Sequence, residues 1–524
     1  MRVSFYGNTE MSVQYFNDVH SQPKYVRNFK TASDTFDKEH KGKLTYKIAG
    51  GDICMDRSIA ANSLILKLMD VIGLDASSVG NHDLEGGDYL SKAIEKVRPK
   101  FQFLSANIDF TRNNQAQKHI AKSMVIERKG EQVGLIGISP LDSKDLVFSA
   151  PFNDYMDVMN FDKTKKAVKE EVDFLEKQGI NKIFLLAHTG KDSKEGTEYY
   201  KELAKIGGID VIFGGHDHKE FDLWYKSDRN EPVKVVSAGK ADDKDIVGEN
   251  LDSFGVLDAV FDDDGVLIPE KCKNKIEITE NYPKSPDVEA YEEKFLHSSK
   301  VISSTNKDLQ CSNRVTEENP VADLAADAML YVVNKTPEGG KAQIALINSG
   351  TVRGDFKKGD ITLGMARQAF PFTSNTLIKR ELSKKELFDA LNSGAESTTY
   401  QKVVPGLIQV GGLKYTIDKN SRVKDVFLLN EDGSLGEKLD DQPDNKKYIV
   451  AYDNFLETGA VGLSSLKKDP KDPNTVRFPH ARQDALIEYL REKFPNKPVA
   501  FVGDRITFET ANKEEDCNLE PVSV

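Results

Sequence analysis

The chain has 524 residues, 39% of them hydrophobic and 30% charged, with a formal net charge of −12. That length exceeds one ordinary core and implies more than one domain; no window reaches the roughly 20 consecutive apolar residues of a membrane-spanning helix. An acidic chain is a poor general binder of polymeric nucleic acid, which rewards basic surfaces, yet it still binds phosphate where it concentrates metal or arginine locally.

In chain order, residues 13–16 read as a strand ending at Asn17-Asp18, and residues 46–49 as another ending at Gly50-Gly51-Asp52. Residues 58–72 have helical apolar spacing. Residues 76–79 lead into Gly80-Asn81-His82-Asp83, and residues 161–179 form an amphipathic helix closed by glycine. Residues 184–187 precede His188, and residues 211–213 precede Gly214-Gly215-His216-Asp217-His218. A strand followed by polar residues at its C-terminal end is the recurring unit, and open α/β sheets place ligand sites there. Hairpin patterns at 123–138, around Lys129-Gly130-Glu131, and at 223–238, around Asp228-Arg229-Asn230, interrupt the alternation. The expectation is an α/β first domain over residues 12–274, with two mixed sheets packed face to face and helices outside. Residues 275–304, polar and helix-prone, read as a helical linker. A second α/β or α+β domain over residues 305–511 opens with a helix at 320–333 and a strand at 343–347 ending at Asn348-Ser349-Gly350, and residues 512–524 form a tail.

Cys54, Cys272, Cys311 and Cys517 form no CxxC pair, which argues against a cysteine zinc site or a disulfide framework and suits a reducing compartment. The first residues lack an apolar segment followed by a small-residue cleavage site, so the expectation is a cytoplasmic protein. Ordinary composition and the absence of a fixed-period repeat argue against a structural or adhesion protein.

Five of the nine histidines, His20, His82, His188, His216 and His218, sit at strand ends beside glycine or aspartate. Binding two divalent ions requires nitrogen and oxygen ligands with at least one shared. Asp18-x-His20, Gly51-Asp52, Gly80-Asn81-His82-Asp83, His188 and Gly215-His216-x-His218 supply them. Residues at i and i+2 past a strand converge on one ion where the backbone turns, and the flanking glycines permit such turns. Imidazole with carboxylate suits Zn, Mn, Fe or Co.

This ordered set resembles the dinuclear metallophosphoesterase signature of the 5'-nucleotidase family. The resemblance implies a four-layer α-β-β-α catalytic domain with two divalent metal ions. Asp18, His20, Asp52 and His218 would hold one ion; Asp52, Asn81, His188 and His216 would hold the other, with Asp52 bridging. It also implies that His82 stabilises charge or protonates the leaving group, oriented by an acid three residues on; Glu85 stands there, where Asp is common in the family.

The second half is similar to the family's substrate-binding domain at Asn313-Arg314-Val315-Thr316-Glu317, at residues 323–329 (DLAADAM), at 348–354 (NSGTVRG), at Gly359-Asp360-Ile361-Thr362, Pro371-Phe372, Gly411-Gly412-Leu413 and Asn454-Phe455-Leu456. That likeness implies a nucleobase stacked between Phe372 and Phe455, with Arg314, Arg353 and Asn348 addressing the phosphate end. One departure stands out. The family commonly reads G-G-D-G where this chain has Gly459-Ala460-Val461-Gly462, and Val461 cannot accept the ribose hydrogen bonds of that aspartate.

The implied reaction is hydrolysis of a small phosphate ester, foremost a 5'-nucleotide, by a metal-activated water. A 2',3'-cyclic-nucleotide phosphodiesterase and a nucleotide-sugar hydrolase use the same metal site and remain alternatives, with a non-catalytic nucleotide sensor a remote third. The implied partner is a small molecule, neither polymeric nucleic acid nor membrane, and oligomeric state is left open. Export, common in the family, is the alternative to a cytoplasmic location.

Overall fold

The computed structural model describes residues 8–21, 23–55, 59–84, 89–109, 114–141, 157–189, 198–239, 253–310, 316–372, 375–400, 406–469, 472–495, 497–499 and 503–509. These residues form two compact units, the first reaching Ser298 and the second starting at Ser299.

In the first unit, one sheet runs in the order Lys273–Ile278, Ser253–Phe261, Thr9–Phe16, Leu44–Ala49, Ala76–Ser78, Gln102–Leu104, Ile120–Ala121. Its central strands are parallel, with Met11 opposite Leu44 and Ile48 opposite Ala76, and its first two strands are antiparallel additions. The second sheet runs Glu220–Lys226, Pro232–Ala238, Val211–Gly214, Ile183–Ala187, Glu131–Ile138, Ser123–Arg128. Ile183–Ala187 is parallel to both of its neighbours. The hairpin before it closes on Lys129 and Gly130, both with positive φ (53° and 84°), between the paired Arg128 and Glu131. Two consecutive left-handed residues give the turn whose twist matches the strands.

The sheets pack face to face because alternate strand residues are apolar. Met11, Val13, Tyr15, Tyr46 and Ile48 meet Val133, Leu135, Phe184, Leu186, Val211 and Phe213 in one apolar layer. The opposite face of the first sheet is covered by helices Pro23–Glu39, Ile59–Ile72 and Tyr89–Val97. Helices Phe161–Lys177 and Glu198–Ala204 cover the second sheet in the same way. The result is the expected four-layer α-β-β-α unit. The parallel strands all point one way, so their C-terminal ends collect Asp18, Asp52, Asn81, His188 and His216 along one rim.

Helix Pro23–Glu39 is absent from the sequence reading. It is held by Val26, Phe29, Ala32 and Phe36 against the sheet and by Arg27, whose Nε donates to Glu292 Oε2 at 2.8 Å. Residues 275–304 are not one helix: they span the end of an edge strand, Lys273–Ile278, the helix Pro286–Ser298 and the strand Val301–Thr305. Apolar side chains such as Val288 and Ile302 are buried there, so tertiary packing overrides the polar composition.

The second unit is built on a mixed sheet ordered Ile408–Gly411, Ile344–Asn348, Lys447–Asp453, Thr376–Ser383, Val476–Ala481. Helices Pro320–Val333 and Arg482–Lys493 contribute to the core on one side, and helix Lys384–Tyr400 to that on the other. The Lys384–Tyr400 helix starts in a capping box. Glu386 N–H donates to Ser383 Oγ at 3.2 Å, and Ser383 N–H donates back to Glu386 Oε2 at 2.7 Å, so orphan amides are satisfied reciprocally. Burial works against the Glu386 charge, but the Lys468 ammonium and both Ser383 donors outweigh it and hold the carboxyl down at about 2, below its ordinary 4.5.

A depressed carboxyl stabilises the fold only while ionised. Its contribution is therefore full above pH 4.5 and lost as pH falls towards 2. Urea unfolding of the wild type and Glu386→Gln across that window should show a difference that closes with acidification. Ser383→Ala should cost about 1 kcal/mol at neutral pH.

Candidate functional site

The rim of the first unit gathers residues that lie far apart in sequence. The Asp18-His20 and Gly51-Asp52 loops extend their parallel strands as a zip: Asp18 N–H donates to Gly51 O at 3.0 Å, His20 N–H to Asp52 O at 2.9 Å and Ser21 N–H to Ile53 O at 3.0 Å. To do so the backbone turns left-handed. Asp18, His20, Asp52, His216 and His218 have φ of 59°, 50°, 55°, 91° and 53°. Such conformations disfavour side chains and persist where the surroundings over-determine them, chiefly at functional sites.

Asp52 is the centre. One of its oxygens, Oδ2, lies 3.2 Å from His20 Nε2 and 3.0 Å from His188 Nε2; the other accepts from His82 N–H at 2.9 Å. On one side Asp18 Oδ1 is 3.3 Å from His218 Nε2 and 3.7 Å from His20 Nε2. On the other, Asp52, His188 and His216 offer ligand atoms within 4.8 Å of one another, and His216 Nδ1 lies 3.1 Å from Asn81 Oδ1. All seven residues expected as ligands therefore meet in one place, in two sets that share Asp52.

The donor set fits divalent metal. His188 Nδ1 lies 2.6 Å from Gly50 O, so it carries the proton and donates, leaving Nε2 to face the carboxylates. Fixing a histidine ligand by a hydrogen bond behind it is how metal sites set the tautomer. Asp18 Oδ1 and His188 Nε2 are buried and make no hydrogen bond among the described residues. Burial would raise the Asp18 and Asp52 carboxyls, but the surrounding imidazoles hold both below the usual carboxylate range. Burial likewise works against a charged His188, yet Asp52 and Asp18 lift it to about 9, while burial and the neighbouring His188 push His216 down to about 4. The pocket demands positive charge between its carboxylates, which a metal ion supplies.

His82 is partly buried at the edge of this cluster, its ring edge-on to His20 at 4.8 Å between centroids. Glu85 lies outside the described residues. The carboxylate that the structure groups with His82 is Asp52, while the neighbouring Asp83 takes a bracing role that the sequence reading did not assign. Asp83 Oδ2 accepts from Asp52 N–H at 3.0 Å and Gly80 N–H at 2.8 Å, and Oδ1 from Cys54 N–H at 2.7 Å. It ties two ligand loops together; burial and the adjacent Asp52 raise its carboxyl to about 7. Its place in the Asn81-His82-Asp83 run was the available signal, but bonds to distant amides are invisible in a linear pattern.

In the second unit, Asn348 ends strand Ile344–Asn348 and is buried, with Oδ1 making no hydrogen bond among the described residues. Arg353 is buried as well, its guanidinium 5.4 Å from the Phe372 ring centroid, a cation–π distance. Phe455 opens the short helix Asn454–Glu457 and packs, with Val461, on the core containing Tyr452 and Leu456. Val461 has φ 51° and ψ 32°, an uncommon conformation for a β-branched residue. The structure thus pairs Arg353 with Phe372 and packs Phe455 and Val461 against the same core; Arg314 lies outside the described residues.

The calcineurin-like phosphoesterase profile matches residues 11–220, and the 5'-nucleotidase C-terminal domain profile matches residues 298–468. A trifunctional nucleotide phosphoesterase of Bacillus subtilis (strain 168) is 28% identical over 446 residues, which cover 76% of this chain and 28% of that protein. An apyrase of Anopheles gambiae is 27% identical over 469 residues, 83% of this chain and 76% of its own. The crystal structure of a 5'-nucleotidase precursor from Thermus thermophilus superposes with a TM-score of 0.57 at 23% identity, covering 95% of this chain and 99% of that one.

A Cβ at Gly80 would collide with the Asp52 carboxylate, whereas one at Gly130, in the positive-φ hairpin turn, would meet nothing within 4 Å. Gly80→Ala should lower metal content, measured by elemental analysis after extensive dialysis, with the far-ultraviolet circular dichroism unchanged. Gly130→Ala should cost about 1 kcal/mol of stability and leave metal content alone.

Proposed function

We propose that this chain, which belongs to the calcineurin-like phosphoesterase family and carries a 5'-nucleotidase C-terminal domain, hydrolyses 5'-nucleotides to nucleoside and inorganic phosphate with two divalent ions. Family membership makes it a phosphoric-ester hydrolase dependent on divalent metal; the number of ions and the nucleotide are the finer reading. The observation that carries this reading is Asp52 Oδ2, set 3.2 Å from His20 and 3.0 Å from His188, the position of a bridging carboxylate.

Asp18, His20, Asp52 and His218 would hold one ion; Asp52, Asn81, His188 and His216 would hold the other. Zn, Mn, Fe or Co suits these nitrogen and oxygen donors. Bound there, two ions supply Lewis acidity that offsets phosphate charge and makes water acidic enough to act as nucleophile near neutral pH. The chain's own groups do the remaining work. His82, next to the cluster and partly exposed, donates a proton to the departing 5'-oxygen or stabilises charge on the phosphoryl oxygens, with Glu85 as its orienting acid. Arg353, Arg314 and Asn348 bind the phosphate end, and Phe372 and Phe455 stack the base.

The relatives' printed activities, phosphoesterase, apyrase and nucleotidase, differ in substrate while the matching regions are shared. We assign specificity to the second unit, where Phe455 and the apolar Val461 pack against the same core. Among the described residues, no helix is long and apolar enough to cross a membrane, and we take the substrate to be a small water-borne ester.

Metal-free protein reloaded with Mn, Zn, Co or Mg should release phosphate from AMP or UMP. His82→Ala should lower kcat by about 100-fold at unchanged metal content, and Asp52→Ala should lose both metal and activity. Turnover confined to 2',3'-cyclic AMP, UDP-glucose or ribose 5-phosphate would keep the metal site and replace the nucleotide reading. Metal binding with silence on every ester would favour a sensor. Val461→Asp introduces an acceptor at a backbone conformation that Asp tolerates better than Val. It should raise the preference for AMP over 2'-deoxy-AMP roughly tenfold without lowering Tm.

A further inference from the structure

We propose that Arg380, Arg477 and Arg482 are positioning residues that hold Phe455 in place, with the buried carboxylates of Asp453 and Glu457 as the handles they grip. The proposal rests on the reading of Phe455 as a stacking residue. Phe455 belongs to a helix of four residues, Asn454–Glu457. One turn is unstable by itself, because nucleation fixes several dihedrals for a single hydrogen bond, so its geometry is imposed from outside.

The imposing contacts are buried ion pairs at both ends. Asp453 caps the helix, its Oδ1 accepting from Leu456 N–H at 2.9 Å, while its other oxygen is held by Arg482 Nη1; both side chains are almost completely buried. At the far end Glu457 accepts both terminal nitrogens of Arg477, at 2.8 and 3.0 Å. Arg380 Nη1 lies 3.6 Å from the same carboxylate, and Arg380 Nη2 donates to Asp472 Oδ2 at 2.7 Å. The three arginines come from strand Thr376–Ser383, strand Val476–Ala481 and the start of helix Arg482–Lys493. The short helix is therefore clamped to the sheet at its cap and at its last residue. Forked guanidinium–carboxylate pairing fixes direction as well as distance. Buried pairs contribute little net stability compared with apolar replacements, so their retention at this one turn points to geometry.

Arg477 is the member to test, because its side chain is 39% exposed while that of Glu457 is 2% exposed. It can be removed without opening the core, and Arg380 remains to face the carboxylate. In the full metal-loaded chain, Phe455→Ala should raise KM for AMP about tenfold. Arg477→Ala should raise it several-fold with kcat and ribose 5-phosphate kinetics unchanged, Arg477→Lys should restore part of the loss, and the double variant should be no worse than Phe455→Ala alone. Multiplying effects, or a lower Tm at constant KM, would overturn the proposal.

A second readout separates positioning from stacking. Trp224 is the sole tryptophan, so a chain carrying Trp224→Phe and Phe455→Trp reports on that ring alone. Adding Arg477→Ala should lower the indole's fluorescence anisotropy and expose it to acrylamide quenching; no change in either would sink the clamp. An unchanged KM in Phe455→Ala together with altered anisotropy would instead discard the stacking role and keep the clamp.

Discussion

A carboxylate enclosed by imidazoles is tolerable inside a protein only when positive charge shares the space. Asp52 is 1% exposed, within 3.2 Å of two histidine nitrogens, on a residue whose own backbone is left-handed. Its electrostatic demand and its strain are met by the same arrangement. Parallel strands deliver Asp18, Asn81, His188 and His216 to its side, the backbone zip from Asp18 to Ser21 holds the loop opposite, and Asp83 bonds Asp52, Cys54 and Gly80 from behind. The glycines belong to this packing: a side chain at Gly51 would strike His188, and one at Gly80 would strike Asp52.

The two units solve positioning by different means. The first uses backbone, with left-handed loops locked by main-chain hydrogen bonds at strand ends, which gives the rigidity that metal ligands need. The second unit places Arg353 and Phe372 together and flanks the turn that carries Phe455 with arginine pairs to the buried carboxylates of Asp453 and Glu457. Side-chain devices of that kind can be exchanged one residue at a time without disturbing a sheet. Such a division suits a scaffold whose relatives bear names for different nucleotide-related activities, since function resides in sites grafted on a shared fold.

Much of this was legible in the linear chain. The alternation of apolar runs with Asp-x-His, Gly-Asp, Gly-Asn-His-Asp and Gly-His-x-His put the metal residues at strand ends, and the structure brings all seven together. The hairpin at Lys129-Gly130 and the helix at 320–333 were readable because their signals are local: a positive-φ pair and an apolar period preceded by Asn-Pro. Helix Pro23–Glu39 went unread although Val26, Phe29, Ala32 and Phe36 recur at near-helical spacing, and the structure completes it with sheet contacts and an ion pair to Glu292. Residues 275–304, expected as a helical linker, contain the helix Pro286–Ser298 together with the end of an edge strand and the strand Val301–Thr305, which polar composition did not announce. Asp83 showed only its place in the Gly80-Asn81-His82-Asp83 run, and the arginines around Glu457 showed nothing local, because the partners concerned, Asp52, Cys54 and Glu457, lie 20 or more positions away.

The sequence by itself determined the identity and order of the candidate metal-binding groups, the rhythm of a strand followed by polar residues, and the presence of Val461 where the resemblance implies an acidic residue. These depend on residue type and short-range spacing, which a linear chain displays. Only the tertiary structure decided that Asp52 Oδ2 stands between His20 and His188, that Asp83 bonds the backbone of Asp52 and Cys54, and that Arg477 and Arg482 pair with Glu457 and Asp453 on either side of Phe455. Those relations are distances between residues 20 to 136 positions apart, and such distances exist only after the sheets have paired and the side chains have packed.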